Sequence, residues 1–206
     1  MSKTTIWIMA GGLAVLATGG SARAQDTHFK VYAGPAYVAP MSDSDITLGA
    51  VSEAVKAEKH VGWNLGIEGR FNNWFGIEVD YVNADQDVTF GGSTIGDTTF
   101  SPLTATFDIH VVHTKVVDFY LGPSYSYVNW GDIHLNVDGS NINGGSTIGT
   151  ESSHNWGVSL GLDIGFGKHF AFETGLKYLN VDLTMNNGQT ADVKPLVARL
   201  GLAGRW

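Results

Sequence analysis

The hexapeptide Gly-Gly-Ser-Thr-Ile-Gly occurs twice, at 91–96 and at 144–149. In the first copy Gly91 and Gly96 frame the segment and Thr98 follows closely, which approaches the loop whose backbone N–H groups cradle phosphate. Such a cradle requires a buried strand before it, a helix after it and a Lys that reaches the phosphates. Asp97 stands in the Lys position of the first copy and Thr150 in that of the second, and strand-like sequence follows both. The segments are therefore read as turns at exposed loop tips, free either to meet or merely to share a composition.

Three other groupings invite chemistry. Ser153 and His154 are neighbours in Glu-Ser-Ser-His-Asn at 151–155, but a nucleophile and its base usually come from separate elements, and no oxyanion-hole segment accompanies them. The stretch from His134 to Gly145 is rich in Asn and Asp, yet its first and twelfth positions are not the carboxylates a calcium loop needs. The seven histidines, His28, His60, His110, His113, His134, His154 and His169, show no metal-ligand spacing. No catalytic residue, metal or cofactor is expected, and the chain is not read as an enzyme.

What remains is a set of charges at alternate positions, and the elements that hold them explain why. In 156–166 Trp156, Val158, Leu160, Leu162, Ile164 and Phe166 alternate with Gly157, Ser159, Gly161, Asp163 and Gly165. A period of two places these sets on opposite faces of a strand. The same pattern recurs in 29–37, 61–71, 75–81, 103–111, 119–127, 170–178 and 196–206, giving eight strands. Their polar faces carry Lys30, Arg70, Lys177, Arg199 and Arg205 against Glu68, Glu78, Asp80, Asp108, Asp163 and Glu173. Charges inside a narrow tube are costly unless paired, so these residues are expected to form an interior charge network.

Connections alternate between tight turns near Asn72, Thr114 and Lys168 and long polar stretches at 83–101, 129–154 and 183–193, with a further long loop between the first two strands. Aromatics gather at both strand ends: Phe71, Trp74, Phe75, Phe119, Phe166, Phe170 and Trp206 at the short-turn end, and Tyr37, Trp63, Tyr81, Tyr127, Trp130, Trp156 and Tyr178 at the long-loop end. A soluble secreted barrel with its apolar face inward also alternates. Two aromatic girdles around an aliphatic belt, with glycine-rich polar faces, point instead to lipid on the apolar side. The fold class is all-β: an eight-stranded antiparallel transmembrane β-barrel with short periplasmic turns and four long external loops. Eight strands enclose little more than their own side chains, so a wide aqueous pore is not expected. In the first long loop Leu48, Val51 and Val55 at helical spacing, with Asp45 or Thr47 as cap, predict a short helix across the barrel mouth.

The N-terminus fits this destination. Lys3, an apolar run from Ile6 to Ala17 and a small-residue stretch ending Ala22-Arg23-Ala24 form a secretory signal peptide, residues 1–24, cleaved before Gln25. Residues 25–206 are the barrel domain. The run is too short for a spanning helix, which needs about 20 residues. The net charge is −8 and the signal peptide contributes only Lys3 and Arg23 to it, so the mature chain is more acidic still and nucleic acid is excluded as a partner. With no cysteine, the exported domain is held together without disulfides.

Several segments resemble the OmpW family of small outer-membrane barrels: FKVYAGPAYVAP as a first strand, SPLTATFDIHV as a fourth, VDFYLGPSYSYVNW as a fifth, HNWGVSLGLDIGF as a sixth and VKPLVARLGLAGRW as the closing strand. The closing strand resembles the family's assembly signal, carried here by Leu200, Leu202 and Trp206, with Gly204 departing from the family's usual aromatic. The resemblance implies passive transport of small hydrophobic molecules through a loop-side apolar pocket, with sideways exit into lipid. Leu48, Val51, Trp63, Tyr81 and Trp156 would supply the apolar mouth, although strand parity points Trp63 and Trp156 outward. Outer-membrane lipid, the outer-membrane assembly machinery and small hydrophobic ligands are the implied partners. A structural or adhesion role for the external loops is the alternative.

Overall fold

The computed structural model describes residues 29–41, 44–48, 51–57, 59–90, 93–114, 116–135, 147–186 and 190–206. The segment expected to be a signal peptide, most of the His134–Gly145 stretch and the tips of both GGSTIG copies lie outside them. Eight long strands build the molecule: β1 (Phe29–Ala39), β2 (His60–Arg70), β3 (Phe75–Phe90), β4 (Ser93–His113), β5 (Val117–Trp130), β6 (Ser153–Phe166), β7 (Phe170–Leu179) and β8 (Leu196–Arg205). Each pairs antiparallel with its neighbours in sequence, and β1 also pairs with β8, so the sheet closes into a barrel with no free edge in its wall. At the seam Phe29 and Trp206 exchange backbone hydrogen bonds of 3.0 and 2.9 Å, and their rings lie 6.1 Å apart.

The short turns are locally specified. Asn72 folds its side chain back so that Oδ1 accepts from the N–H groups of Trp74 and Phe75, at 2.7 and 3.0 Å. Thr114 Oγ1 likewise accepts from Val116 and Val117, at 3.3 and 2.8 Å. Gly167 turns the β6–β7 hairpin at φ +79°, a conformation that costs glycine least.

The alternation read from the sequence holds through the wall. Apolar side chains of the long strands point outward and stay exposed, Trp63 at 50 %, Trp156 at 67 % and Trp206 at 63 %. Their polar alternates point into the lumen and are buried.

The external end departs from the expectation in two places. The segment 83–101 is not a loop: β3 and β4 continue through most of it as a long hairpin, paired from Ala84↔Phe100 to Phe90↔Ser93 with a register shift at Val88 and Thr89. The expected helix around Leu48, Val51 and Val55 is instead an antiparallel hairpin of Ser44–Leu48 and Val51–Ala57. Its second strand adds to β3 through Val55↔Phe90, Lys56↔Thr89 and Ala57↔Val88. The extended β3 offers a row of free backbone groups, and β-branched Ile46, Thr47, Val51 and Val55 suit the strand that satisfies them. A second rim sheet joins Thr150–Glu151, Asp182–Met185 and Thr190–Asp192.

Each repeated hexapeptide reaches the same rim strand, from opposite sides. Gly96, the last residue of the first copy, and Asp97 after it pair with Leu135 and His134 of the short strand Ile133–Leu135. On the other edge of that strand, Thr147 and Ile148 of the second copy pair with His134 and Ile133. The two copies thus flank one strand as parts of a continuous rim sheet.

Candidate functional site

The lumen has two levels. Its lower part, toward the short turns, is a web of buried charges held by alternate residues of all eight strands. Lys30 on β1 lies 2.8 Å from Glu68 on β2 and 3.1 Å from Asp163 on β6. Arg70 pairs with Glu68 at 2.7 Å and also with Asp118 at the base of β5. Glu78 on β3 receives two bonds from the Arg199 guanidinium, 2.8 and 2.9 Å, and one from Lys177 at 3.1 Å. Lys177 also pairs with Asp80, and Arg199 lies 2.9 Å from Glu173.

Two tyrosines tie these groups together. Tyr120 OH accepts from Lys30 at 3.0 Å and donates to Glu173 at 3.2 Å, while Tyr32 OH accepts from Arg199 at 2.5 Å. Each ring lies over a cross-strand glycine. A Cβ on Gly66 would come within 2.2 Å of the Tyr32 ring, and one on Gly161 within 2.2 Å of the Tyr120 ring. Gly66 faces Tyr32 and Gly161 faces Tyr120 in the register, so the small residue creates the space the aromatic fills.

Of the expected network, Lys30, Glu68, Arg70, Glu78, Asp80, Asp163, Glu173, Lys177 and Arg199 are brought together as buried pairs. Asp108 is buried among them, but neither of its carboxylate oxygens has a hydrogen-bond partner. Arg205 does not join the network. It lies at the lower mouth, where Nη2 donates to the Phe170 carbonyl at 3.3 Å, because Arg205 is the last residue of β8 and stands beyond the packed lumen. Asp118 and His110 belong to the web although they were not assigned to it. His110 holds Glu68 with Nε2 and Asp118 with Nδ1, both at 3.0 Å. The signal was strand parity: His110 is two positions beyond Asp108 on the same face.

The upper lumen is apolar. Ala36 and Val38 of β1, Val82 and Ala84 of β3, Phe100 of β4, Val128 and Trp130 of β5 and Val197 of β8 pack with Ile133, Leu179, Val181, Leu183 and Val193 in one buried cluster. Phe100 and Trp130 pack against each other within it, 4.8 Å between ring centroids and tilted by 48°. Between cap and charges lies a polar collar in which Thr104 and Ser126 hydrogen-bond across β4 and β5 at 2.9 Å.

The residues expected at the apolar mouth occupy other places. Trp63, Tyr81 and Trp156 stand on the outer wall, Trp63 packed against Tyr81 at 5.5 Å and Trp156 edge-on to Tyr125 at 4.9 Å. Strand parity fixes that side, and no rim distortion turns them inward. Leu48 and Val51 pair with one another in the rim hairpin, and their side chains lie outside the described residues. Ser153 and His154 do not form a catalytic pair: Ser153 Oγ is hydrogen-bonded to the Asn155 side chain at 2.7 Å, and His154 packs on Tyr127 and Tyr125. Leu200, Leu202 and Trp206 form an exposed apolar row on the outer face of β8. At the opposite end from the cap, a cavity of about 700 Å³ opens between the short turns, lined by Lys30, Arg70, His113, Lys168 and Arg205 among others.

The family model for the outer membrane protein beta-barrel domain matches residues 10–205. No curated protein matches the chain. Among solved structures, the outer membrane protein OprG from Pseudomonas aeruginosa superposes with a TM-score of 0.76 at 19% identity, covering 87% of this chain and 96% of that one. E. coli Outer Membrane Protein W superposes with a TM-score of 0.54 at 18% identity, over 87% of this chain and 98% of that one. Ail, the attachment invasion locus protein of Yersinia pestis, crystallised with the heparin analogue sucrose octasulfate, gives 0.53 at 19% identity over 88% and 100%.

Proposed function

Because the chain belongs to the outer membrane protein beta-barrel domain family, we propose that in the outer membrane it passes small hydrophobic molecules from the external side into the lipid. The division of the lumen into an apolar cap above a closed web of charges carries this reading. An apolar molecule among Val82, Phe100 and Trp130 is in a favourable environment. Movement down the axis would force it between buried ion pairs, whose separation leaves uncompensated charges at several kcal/mol each. Sideways exit avoids that cost.

The wall offers a place for it. Between β3 and β4 the ladder passes from Tyr81↔Leu103 to Ala84↔Phe100 and skips Val82 and Asn83 opposite Ser101 and Pro102. Pro102 has no N–H to donate. A side-chain bond from Asn83 Nδ2 to Ser101 Oγ, 2.9 Å, bridges the gap. Val82 and Phe100, at its inner edge, belong to the cap.

The test is entry of an apolar fluorescent probe into liposomes that hold the folded protein. Uptake is expected to exceed that of empty liposomes and to fall in Pro102→Ala, which restores a donor to the gap, while folding stays unchanged. Equal uptake in empty liposomes, wild type and Pro102→Ala defeats the proposal. The adhesion reading draws on the likeness to Ail, but a net charge of −8 opposes a polyanion such as the heparin analogue bound to that protein.

A further inference from the structure

We propose that the lower lumen contains a binding site for one hard divalent cation, ligated by Glu68, Glu78 and Asp108. The first observation is the charge balance. Among the described residues, the buried lumen holds seven carboxylates, Glu68, Glu78, Asp80, Asp108, Asp118, Asp163 and Glu173. Against them stand four Lys or Arg side chains, Lys30, Arg70, Lys177 and Arg199. Counting His110 as a fifth cation still leaves two negative charges uncompensated. A buried, unpaired charge is too costly to persist, so the folded lumen must take up either a cation or protons to balance it.

The second observation locates the deficit. Asp108 is 0 % exposed and both its oxygens lack a hydrogen-bond partner. Lys30, Arg70 and His110 hold Glu68, and Lys177 and Arg199 hold Glu78, but no such group holds Asp108. Carboxylate oxygens of Asp108, Glu68 and Glu78 lie within 4.8 Å of one another. The register explains the convergence. Glu68 faces Glu78 directly across β2 and β3, an arrangement of like charges that is destabilising unless something lies between them. Asp108 faces Gly76, and the position a Cβ would take there lies 3.1 Å from Glu68 Oε1 and 3.3 Å from His110 Nε2, so the missing side chain lets these groups approach Asp108.

The chemistry of the donors selects the ligand. Three carboxylates and no sulfur suit a hard ion of the calcium or manganese class, which takes oxygens at about 2.0–2.6 Å. Thr106, which faces Glu78 in the register and is two residues from Asp108, has a buried hydroxyl that is also without a partner. A divalent ion would neutralise the two remaining charges and separate Glu68 from Glu78. Sequence spacing could not show this site, because its ligands come one each from β2, β3 and β4.

The test uses the full barrel folded into detergent micelles in the presence of Mn²⁺, followed by removal of free metal on a chelating resin and counting of retained manganese. Folding of every sample is verified by the change in gel mobility on boiling. Wild type is expected to retain about one ion per barrel, and Asp108→Asn at least about tenfold less, in the range usual for loss of a supporting group at a metal site. Asp163→Asn, which removes a lumen carboxylate outside the three, is expected to retain the ion. Absence of retained manganese in folded wild type overturns the proposal, as does equal retention in Asp108→Asn. An infrared carboxylic-acid band in manganese-folded wild type that vanishes in Asp108→Asn also overturns it, since a proton would then supply the missing charge.

Discussion

Glu78 shows how much depends on single side chains in this lumen. It is 0 % exposed and satisfies both Arg199 and Lys177, which belong to strands on the far side of the barrel. Replacing it with Ala leaves two buried cations short of a partner and is expected to lower unfolding free energy by about 3–5 kcal/mol, read from urea titration of the folded barrel. Gly161→Ala acts by volume: the new methyl would meet the Tyr120 ring, and a loss of about 1–3 kcal/mol is expected in the same titration. Most network members were legible because Lys30, Glu78 or Lys177 occupies a polar position in an unbroken alternation. Asp118 was not, because β5 begins only one residue earlier, beside a turn, and too little alternation precedes it. The missing partner of Asp108 is a property of three strands in register, to which a linear reading has no access.

At the scale of elements, the turns and the rim behave differently. The β2–β3 connection is closed by Asn72, and Asn72→Ala is expected to cost about 1 kcal/mol by releasing two backbone donors, measured as a shift in the urea midpoint without loss of the barrel. The long hairpin of β3 and β4 was unreadable as strand because its polarity inverts. Within the wall Ile77, Val79 and Tyr81 point outward and Glu78 and Asp80 inward; above it Asn83, Asp85 and Asp87 occupy the outward positions and Val82, Ala84 and Val88 the buried ones. Lipid outside demands one polarity, and water outside a packed interior demands the other. The switch at Val82 marks where the wall leaves the membrane. The helix expected near Val51 failed for a related reason: a sequence that alternates weakly was captured by the free edge of a strand that the same inversion had hidden.

At the scale of the molecule, the closed wall and its exposed apolar belt predict a barrel that resists detergent until heated. Unboiled folded protein is expected to migrate apart from the boiled form on a denaturing gel, and coincidence of the two bands would contradict the closed architecture. The lumen pairs also constrain how that architecture arises. Lys30 and Asp163 are 133 residues apart in the chain, and Arg199 and Glu78 are 121 apart. Contacts of such high sequence separation cannot form until most of the loop-closure entropy has been lost, so they reward only a nearly finished structure. A partly inserted sheet would hold Glu78 against hydrocarbon while Lys177 and Arg199 waited on strands not yet added, and would leave Lys30 with Glu68 but without Asp163. Full pairing of the lumen therefore waits for β7 and β8 to join the early strands, and a sheet that stops short of closure is expected to be disfavoured in the bilayer.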